Sequence, residues 1–316
     1  MYRMLFLGYS NLIKARILPI LNRLPIKSCS IAKYEGQDWD DWEGLSSIDK
    51  YDTYEEGLNN FKGELVYVST VNIAHFLYAK LALEHGFHVI VDKPATMEYV
   101  QAYKLVEIAK QKNLLLCEST VYLYHPQFKI IDNIFKQNRD IPKLLTVHFT
   151  MPPFTPNNFR YKRELGGGAL MDTLPYAVSV GRYFFKEMPN KVSVQINERN
   201  IDGLDIEYSL LMGYSNGKSL IGHFGFNTEY INSMLVIGDR TNVIFNRVFT
   251  IPENLENTLL VEHMNNHASV TTPRGNNFEL FLNYVLKALK NKEYDTLYNS
   301  MLYDAEVKQM IINKSI

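Results

Sequence analysis

Short apolar runs alternate with segments of helical periodicity over the first 120 residues, and this alternation constrains the fold more than any other feature. The runs predicted as strands are Met4–Leu7, Ser28–Ala32, Leu65–Ser69, His88–Val91 and Leu114–Cys117. Helical spacing of apolar residues lies between most of them, over Ile13–Leu21, Ile73–His85 and Val100–Lys112. Such alternation indicates an α/β domain with a parallel sheet, whose strands end along one edge where ligands usually bind.

The pattern changes beyond about residue 120. A helix is predicted over Pro126–Gln137, a strand over Leu144–Met151 and a helix from the Gly166–Gly168 triplet to Phe185. Five strand-like runs follow between 191 and 249, separated by turns typical of antiparallel hairpins. Helices close the chain over Asn277–Leu289 and, more weakly, near 304–312. We therefore predict two domains, 1–120 and 121–316, the second being α+β with an open, mostly antiparallel sheet that few helices cover.

Composition excludes several classes of protein. The chain has 316 residues, 46% of them hydrophobic, and a formal net charge of −1, so no basic field attracts nucleic acid or an anionic membrane. Two cysteines are too few for a disulfide framework. We find neither a signal peptide nor an apolar run long enough for a membrane span, so we expect a cytoplasmic protein. The 21 tyrosines fit either base composition or an aromatic substrate cleft.

The first candidate site is the turn after the first strand, Gly8-Tyr9-Ser10-Asn11-Leu12-Ile13. A dinucleotide fingerprint here reads G-x-G-x-x-G, because glycines let the backbone approach a pyrophosphate at the start of a helix. Gly8 matches the first glycine, whereas Ser10 and Ile13 occupy the other two positions. Ser10 still offers a hydroxyl and an N–H to a phosphate. The turn is therefore either a dinucleotide site or an ordinary strand–helix connection.

The residues after the second strand bear on the choice of cofactor. An acidic side chain there binds the ribose 2′-hydroxyl of NAD, whereas a basic one accommodates the 2′-phosphate of NADP. Lys33 lies near this position and favours NADP, while Glu35 keeps NAD possible. A solvated surface lysine is the alternative interpretation.

Asp92-Lys93-Pro94 follows a predicted strand directly and places a lysine at the carboxyl edge of the sheet. There an ammonium group can donate a proton or a hydrogen bond to a substrate oxygen as the substrate gains or loses hydride. We expect Asp92 to hold the lysine side chain. The alternative is a solvated lysine in the turn before the next helix.

A further group begins at Arg160 and continues through the glycine triplet into a predicted helix. Asp172 and Tyr176 are four residues apart, so a helix places both on one face. A carboxylate and a phenol there suit binding of a polar substrate and proton transfer, and a neighbouring lysine would favour the ionised phenol. The alternative is a core helix with a glycine hinge and Asp172 as its cap.

These motifs together resemble the Gfo/Idh/MocA oxidoreductases, the family of glucose–fructose oxidoreductase and inositol dehydrogenase, along almost the whole chain. The strongest stretches are residues 69–94, 117–128 and 159–176. The family's usual E-K-P is Asp92-Lys93-Pro94 here. In its motif G-G-G-x-x-x-D-x-G-x-H, Leu174 replaces a glycine and Tyr176 stands in the histidine position. Some sugar-ketone reductases and dihydrodiol dehydrogenases of the family resemble this chain in that respect.

The resemblance implies an enzyme that moves hydride between a nicotinamide and a carbinol or ketone carbon of a sugar or nucleotide-linked sugar, preferably as a ketoreductase. Lys93 and Tyr176 would be the catalytic pair, and Asp172 would orient the substrate or its partner. Tyr122 and Arg160 would join these three in binding substrate. The residues expected to bind NADP, or less favourably NAD, are Gly8, Ser10, Asn11, Leu12, Lys33, Thr70, Asn72, His75, Asp92, Lys93 and Glu118.

The family fold has an N-terminal Rossmann domain and a C-terminal open sheet that commonly forms the subunit interface in relatives. We therefore expect a homodimer or homotetramer. The substitutions at Ser10 and Ile13 support a second hypothesis, a non-catalytic Rossmann-derived binding or assembly subunit. No metal is expected, since Glu262, His263 and His267 have suitable side chains but lie in strand-like sequence without a convincing partner set.

Overall fold

The computed structural model describes residues 1–39 and 48–315, which divide into two compact units. The first unit contains Met1–Ser119 and Phe281–Ala305, and the second contains Thr120–Leu280 and Glu306–Ile316. A stretch near the C-terminus therefore belongs with the N-terminal unit. Within that unit the Tyr298 hydroxyl donates a hydrogen bond to the Leu114 carbonyl, which ties the returning stretch to the end of a helix-to-strand connection.

The first unit is built on a six-stranded parallel sheet in the order β3-β2-β1-β4-β5-β6. Its strands are β1 (Tyr2–Leu7), β2 (Ile26–Ala32), β3 (Asp49–Tyr51), β4 (Leu65–Val68), β5 (His88–Val91) and β6 (Leu116–Glu118). The central strands are apolar at nearly every residue because both faces of the sheet are covered. The strand order reverses between β1 and β4, and this switch point is where doubly wound sheets bind their ligands.

The helices of the first unit differ from the prediction at its beginning. They are α1 (Tyr54–Asn60), α2 (His75–Glu84) and α3 (Tyr99–Lys112). The single helix predicted over 13–21 is instead a π-helical turn, Ile13–Ile17, followed by a 3₁₀ segment, Leu18–Arg23. Pro19 has no backbone N–H, so a regular α-helical ladder cannot continue through it.

The second unit is built on an eight-stranded sheet in the order β14-β13-β12-β11-β7-β10-β9-β8, antiparallel except for the pair β7–β10. Its strands are β7 (Leu144–Thr150), β8 (Lys191–Arg199), β9 (Asp205–Gly213), β10 (Ser219–Gly225), β11 (Ile231–Ile237), β12 (Thr241–Asn246), β13 (Thr258–His263) and β14 (Asn266–Thr271). The helices α4 (Pro126–Gln137) and α5 (Ala169–Phe185) precede most of them, and α5 packs on β7, β9 and β10. The predicted fold class is confirmed.

Two helices close the chain, α6 (Asn277–Asn291) and α7 (Asp295–Ile312). The side chains considered as metal ligands lie near the β13–β14 hairpin: Glu262 pairs with His267 at 3.2 Å, and His263 Nδ1 lies 3.1 Å from Thr241 Oγ1. Across residues 1–39 and 48–315, no three or more histidine, cysteine or acidic side chains form a group that could hold an ion. Nor does any helix in those ranges combine the length and apolar character needed to cross a membrane.

Candidate active site

One carboxylate connects the carboxyl ends of four neighbouring strands in the first unit. Asp92, just after β5, accepts hydrogen bonds from the Tyr67 hydroxyl in β4 at 2.7 Å and from the Ser119 hydroxyl after β6 at 3.1 Å. Its other oxygen accepts from the Ser69 hydroxyl after β4 at 2.5 Å. Ser69 Oγ in turn lies 2.8 Å from Ser10 Oγ, after β1. Burial and then the nearby carboxylate raise the pKa of Tyr67 well above its ordinary value, so this phenol remains a hydrogen-bond donor.

The turn that carries Lys93 is held from its other side by a buried histidine. His75 Nδ1 lies 2.8 Å from the Pro94 carbonyl, and Nε2 lies 3.1 Å from the Thr70 carbonyl. Burial lowers the pKa of His75, although Asp92 and both carbonyls favour its charged form. The Lys93–Pro94 peptide bond is cis. The histidine thus joins the loop after β4 to the loop after β5.

The turn after β1 requires a glycine at its first position. Gly8 has a φ of +113°, and a Cβ there would lie 2.1 Å from the Ser69 carbonyl oxygen. The Ser10 hydroxyl accepts a hydrogen bond from the backbone N–H of Ile13 at 3.2 Å and also contacts Ser69. The hydroxyl that we expected to be offered to a phosphate is therefore engaged by the protein itself.

Lys33 is buried at the end of β2 and is not a solvated surface lysine. Its Nζ lies 3.1 Å from Asp52 Oδ1, and the Trp39 indole N–H donates to the same oxygen at 3.0 Å. The hydrogen bonds from Trp39 and Lys33 lower the pKa of Asp52. The glycine turn at the switch point fits a dinucleotide, and Lys33, paired with Asp52, lies beside the same edge of the sheet.

The other residues predicted to bind cofactor lie along the same edge. Asn11 and Leu12 begin the first helical turn, and the buried Asn72 begins a 3₁₀ turn after β4. Glu118, at the end of β6, accepts a hydrogen bond from the backbone N–H of Ala95 at 2.7 Å. The whole predicted cofactor set is therefore brought to the carboxyl ends of β1, β2, β4, β5 and β6, all within the first unit.

The residues predicted to bind substrate, apart from Lys93, lie in the second unit. Tyr176 is half-buried on α5 among three aromatic rings, with centroid distances of 4.7 Å to Phe249, 4.9 Å to Phe149 and 5.6 Å to Tyr122. Edge-to-face and tilted contacts of this kind fix the direction of a phenol ring. Tyr122 itself is buried, and its hydroxyl donates to the Tyr176 carbonyl at 3.2 Å and contacts Ser179 Oγ. This geometry gives Tyr122 a supporting position behind Tyr176.

Asp172 lies one helical turn before Tyr176 and pairs with Arg160. The Arg160 Nε donates to Asp172 Oδ2 at 2.9 Å, and the carboxylate is 7% exposed while the guanidinium side chain is 25% exposed. The sequence placed these two residues in one group without indicating their contact. The hydrogen-bond partners of Asp92, the Asp52 carboxylate beside Lys33 and the ring contacts of Tyr176 were missed, because only the tertiary structure brings them together.

Comparison with known protein families shows the family to which the chain belongs. Residues 4–119 match the model of the oxidoreductase family with an NAD-binding Rossmann fold, and residues 140–244 match the Gfo/Idh/MocA C-terminal domain. The chain belongs to the Gfo/Idh/MocA family. It is therefore an oxidoreductase with a nucleotide-binding domain for NAD or NADP, and the predicted family, fold and enzyme class are confirmed.

The individual relatives described next are 22% to 29% identical to this chain. A dTDP-3,4-didehydro-2,6-dideoxy-α-D-glucose 3-reductase from Saccharopolyspora spinosa is 29% identical over 201 residues, which cover 63% of this chain and 60% of that protein. The enzyme of the same name from Actinomadura kijaniata is 24% identical over 95% of this chain and 92% of its own. The solved structure of KijD10, a 3-ketoreductase from that organism in complex with NADP and TDP-benzene, superposes with a TM-score of 0.92 at 22% identity, covering 99% of this chain and 97% of that one.

Proposed function

We propose that the protein is an NADP-dependent ketoreductase that transfers hydride to a ketone carbon of a nucleotide-linked sugar. The observation that carries the proposal is Tyr176, a phenol oriented by three rings on the helix that also carries the buried Asp172–Arg160 pair. Two relatives named as dTDP-sugar 3-reductases support the substrate class. The same names support reduction as the proposed direction.

Each residue then has a distinct role. A bound nicotinamide supplies hydride at its C4 carbon. Tyr176 donates the proton to the substrate oxygen, and Lys93 stabilises the negative charge that develops there. Asp172 is buried and engaged with Arg160, so it positions that guanidinium and is not the proton donor.

Deuterium transfer tests this function directly. The protein is incubated with NADPH deuterated at C4 and a dTDP-linked 3-keto sugar, and the sugar nucleotide is analysed by mass spectrometry. The two NADPH diastereomers that carry deuterium at C4 are tested separately. We expect one of them to place a deuterium on the new carbinol carbon and the other to place none. Saturable NADPH binding without deuterium transfer to the carbonyl carbon of any keto-sugar nucleotide would contradict the assigned substrate class.

The preference for NADP is proposed to depend on Lys33. Replacing Lys33 with alanine is expected to weaken NADPH binding at least about tenfold, because a charge-assisted hydrogen bond to the 2′-phosphate is lost. NADH lacks that phosphate, so its affinity is expected to change less than about twofold. Nicotinamide fluorescence titration of each cofactor measures both constants.

Lys50→Ala is the matched control, since Lys50 Nζ also lies near the Trp39 ring, at 5.3 Å, but belongs to β3. This variant is expected to keep the wild-type ratio of NADPH to NADH affinity. Equal losses of NADPH and NADH affinity in the Lys33 variant would show that the lysine does not contact the 2′-phosphate.

We also propose that a second copy of the chain covers the exposed face of the eight-stranded sheet. Leu211, Ile221, Ile244 and Leu260 are 41% to 50% exposed. The strand register places them in one row across the sheet, with Thr146 and Leu235 completing the row between Ile221 and Ile244. An apolar row of this length on an open face is typical of an interaction surface.

Light scattering after size-exclusion chromatography tests the proposed oligomer. Wild-type protein is expected to be a dimer or tetramer, and Ile244→Glu is expected to shift it to a monomer, since the charge lies within the apolar row. Ile201→Glu, at a fully exposed turn residue, is the control and should leave the mass unchanged. Monomeric wild-type protein at micromolar concentration would contradict the proposal.

The same proposal gives each of the two predicted domains its own role. We assign cofactor binding to residues 1–120, and substrate binding and subunit contact to residues 121–316. A cytoplasmic location stays a prediction from the sequence.

A further inference from the structure

The loop before α5 is built to hold one arginine. We call residues 151–168 the arginine loop. The Gly168 N–H donates to the Arg160 carbonyl at 2.9 Å, and a Cβ on Gly167 would lie 2.6 Å from that same carbonyl oxygen. Asn158 Oδ1 accepts a hydrogen bond from the Arg160 N–H at 3.1 Å. The glycine motif therefore allows the backbone of Arg160 to pack against the start of the helix, which explains these glycines without any direct role in catalysis.

The Arg160 side chain is held as firmly as its backbone. Its guanidinium carbon lies 4.7 Å from the ring centroids of both Phe154 and Phe159. The Asp172 carboxylate engages Nε, and most of the N–H donors of a guanidinium are on its two terminal nitrogens. The Phe154 N–H donates to the Tyr161 hydroxyl at 3.0 Å, which closes the loop on itself. An arginine oriented in this way, and one-quarter exposed, can bind two oxygens of an anion through its terminal nitrogens.

The charge of the arginine loop indicates the kind of ligand. Arg160, Lys162 and Arg163 fall within four residues, and Glu164 is the one acidic residue between 151 and 168. A guanidinium fork matches two oxygens of a phosphate, and the aromatic rings beside it reduce the competition from water. A neutral sugar would not need this positive charge.

We propose that Arg160 binds a phosphate group of the diphosphate in a nucleotide-linked substrate, and that the arginine loop is the element that distinguishes such substrates from free sugars. The inference rests on the proposed ketoreductase function and adds the residue that recognises the anionic part of its substrate. Asp172 and the glycine motif are positioning elements for this guanidinium. The phosphates of NADPH offer the same oxygen atoms to a guanidinium, so the test distinguishes binding of the nucleotide-linked substrate from binding of NADPH.

Calorimetric titration with thymidine diphosphate, thymidine and NADPH provides that separation. Arg160→Gln is expected to weaken thymidine diphosphate at least about tenfold, with thymidine and NADPH unchanged within about twofold. Arg160→Lys is expected to recover only part of the affinity, because an ammonium lacks the planar fork. Arg199→Gln is the matched control, since Arg199 lies outside the arginine loop, is exposed and donates to the Gly203 carbonyl at 3.1 Å; this variant should bind thymidine diphosphate as the wild type does.

A double variant, Arg160→Met with Asp172→Asn, removes both charges and avoids leaving a buried carboxylate without its partner. It is expected to fold and to show the same loss for thymidine diphosphate. Unchanged thymidine diphosphate affinity in the folded variants, or a loss confined to NADPH, would overturn the inference while leaving the ketoreductase function intact. Failure of the wild-type protein to bind NADPH would instead refute the proposed function itself.

Discussion

Replacing Tyr176 with phenylalanine is expected to lower kcat for keto-sugar reduction by about 10²- to 10⁴-fold, the usual contribution of a positioned proton donor. The substitution removes one hydroxyl and keeps the ring, so the contacts with Phe149, Phe249 and Tyr122 persist. The Tyr176 carbonyl also still accepts the Tyr122 hydroxyl. The loss should therefore appear in kcat, with thermal stability and NADPH affinity close to those of the wild type.

Tyr183→Phe provides the control on the same helix. Its hydroxyl donates to Asp132 Oδ2 at 2.6 Å, away from Tyr176, and burial raises the pKa of Tyr183. Loss of that bond should lower stability slightly and leave kcat unchanged. A wild-type kcat in the Tyr176 variant would show that the proton comes from another group.

Replacing Lys93 with methionine is the second change with a large expected effect. Methionine keeps an unbranched side chain but removes the charge that we propose stabilises the developing oxyanion, so we expect kcat to fall by about 10²- to 10⁴-fold. The backbone at this turn is held by Asp92 and by His75 through the Pro94 carbonyl, and none of these hydrogen bonds uses the lysine side chain. Single-turnover reduction with enzyme already loaded with NADPH measures the chemical step.

Lys80→Met is the matched control, because Lys80 pairs with Glu84 on the surface of α2 and has no assigned role. It should reduce substrate at the wild-type rate. If Lys93 and Tyr176 act on the same substrate oxygen, the double variant should lose about as much as the more damaging single variant, since groups that act as a unit are not additive. Fully additive losses would indicate that the two residues serve different steps.

The buried strands were predictable because burial on both faces leaves a continuous apolar run. Leu65–Val68 and His88–Val91 are examples, and α4 begins at Pro126 as its sequence predicts. β3 was missed, since Asp49–Tyr51 is a short polar edge strand. α7 begins at Asp295, earlier than predicted, because its apolar residues do not fall on one face of the helix.

The placement of the candidate residues was predictable where they follow a strand end or a helical spacing. Lys93 follows β5 as expected, and Asp172 and Tyr176 lie one helical turn apart on α5. The Arg160–Asp172 pair could not be predicted, since most of the eleven residues between them lie in a loop of 3₁₀ turns before α5 begins. Asp52 beside Lys33 is a similar case, because only the pairing of β2 with β3 brings them together.

Every role proposed for this protein depends on a nicotinamide cofactor that binds at a turn with only one glycine of the fingerprint. Titration of the purified protein with NADPH, followed by nicotinamide fluorescence, tests this binding directly. We expect saturable binding of NADPH that is tighter than binding of NADH. No binding of either cofactor at millimolar concentration would contradict the proposed ketoreductase function.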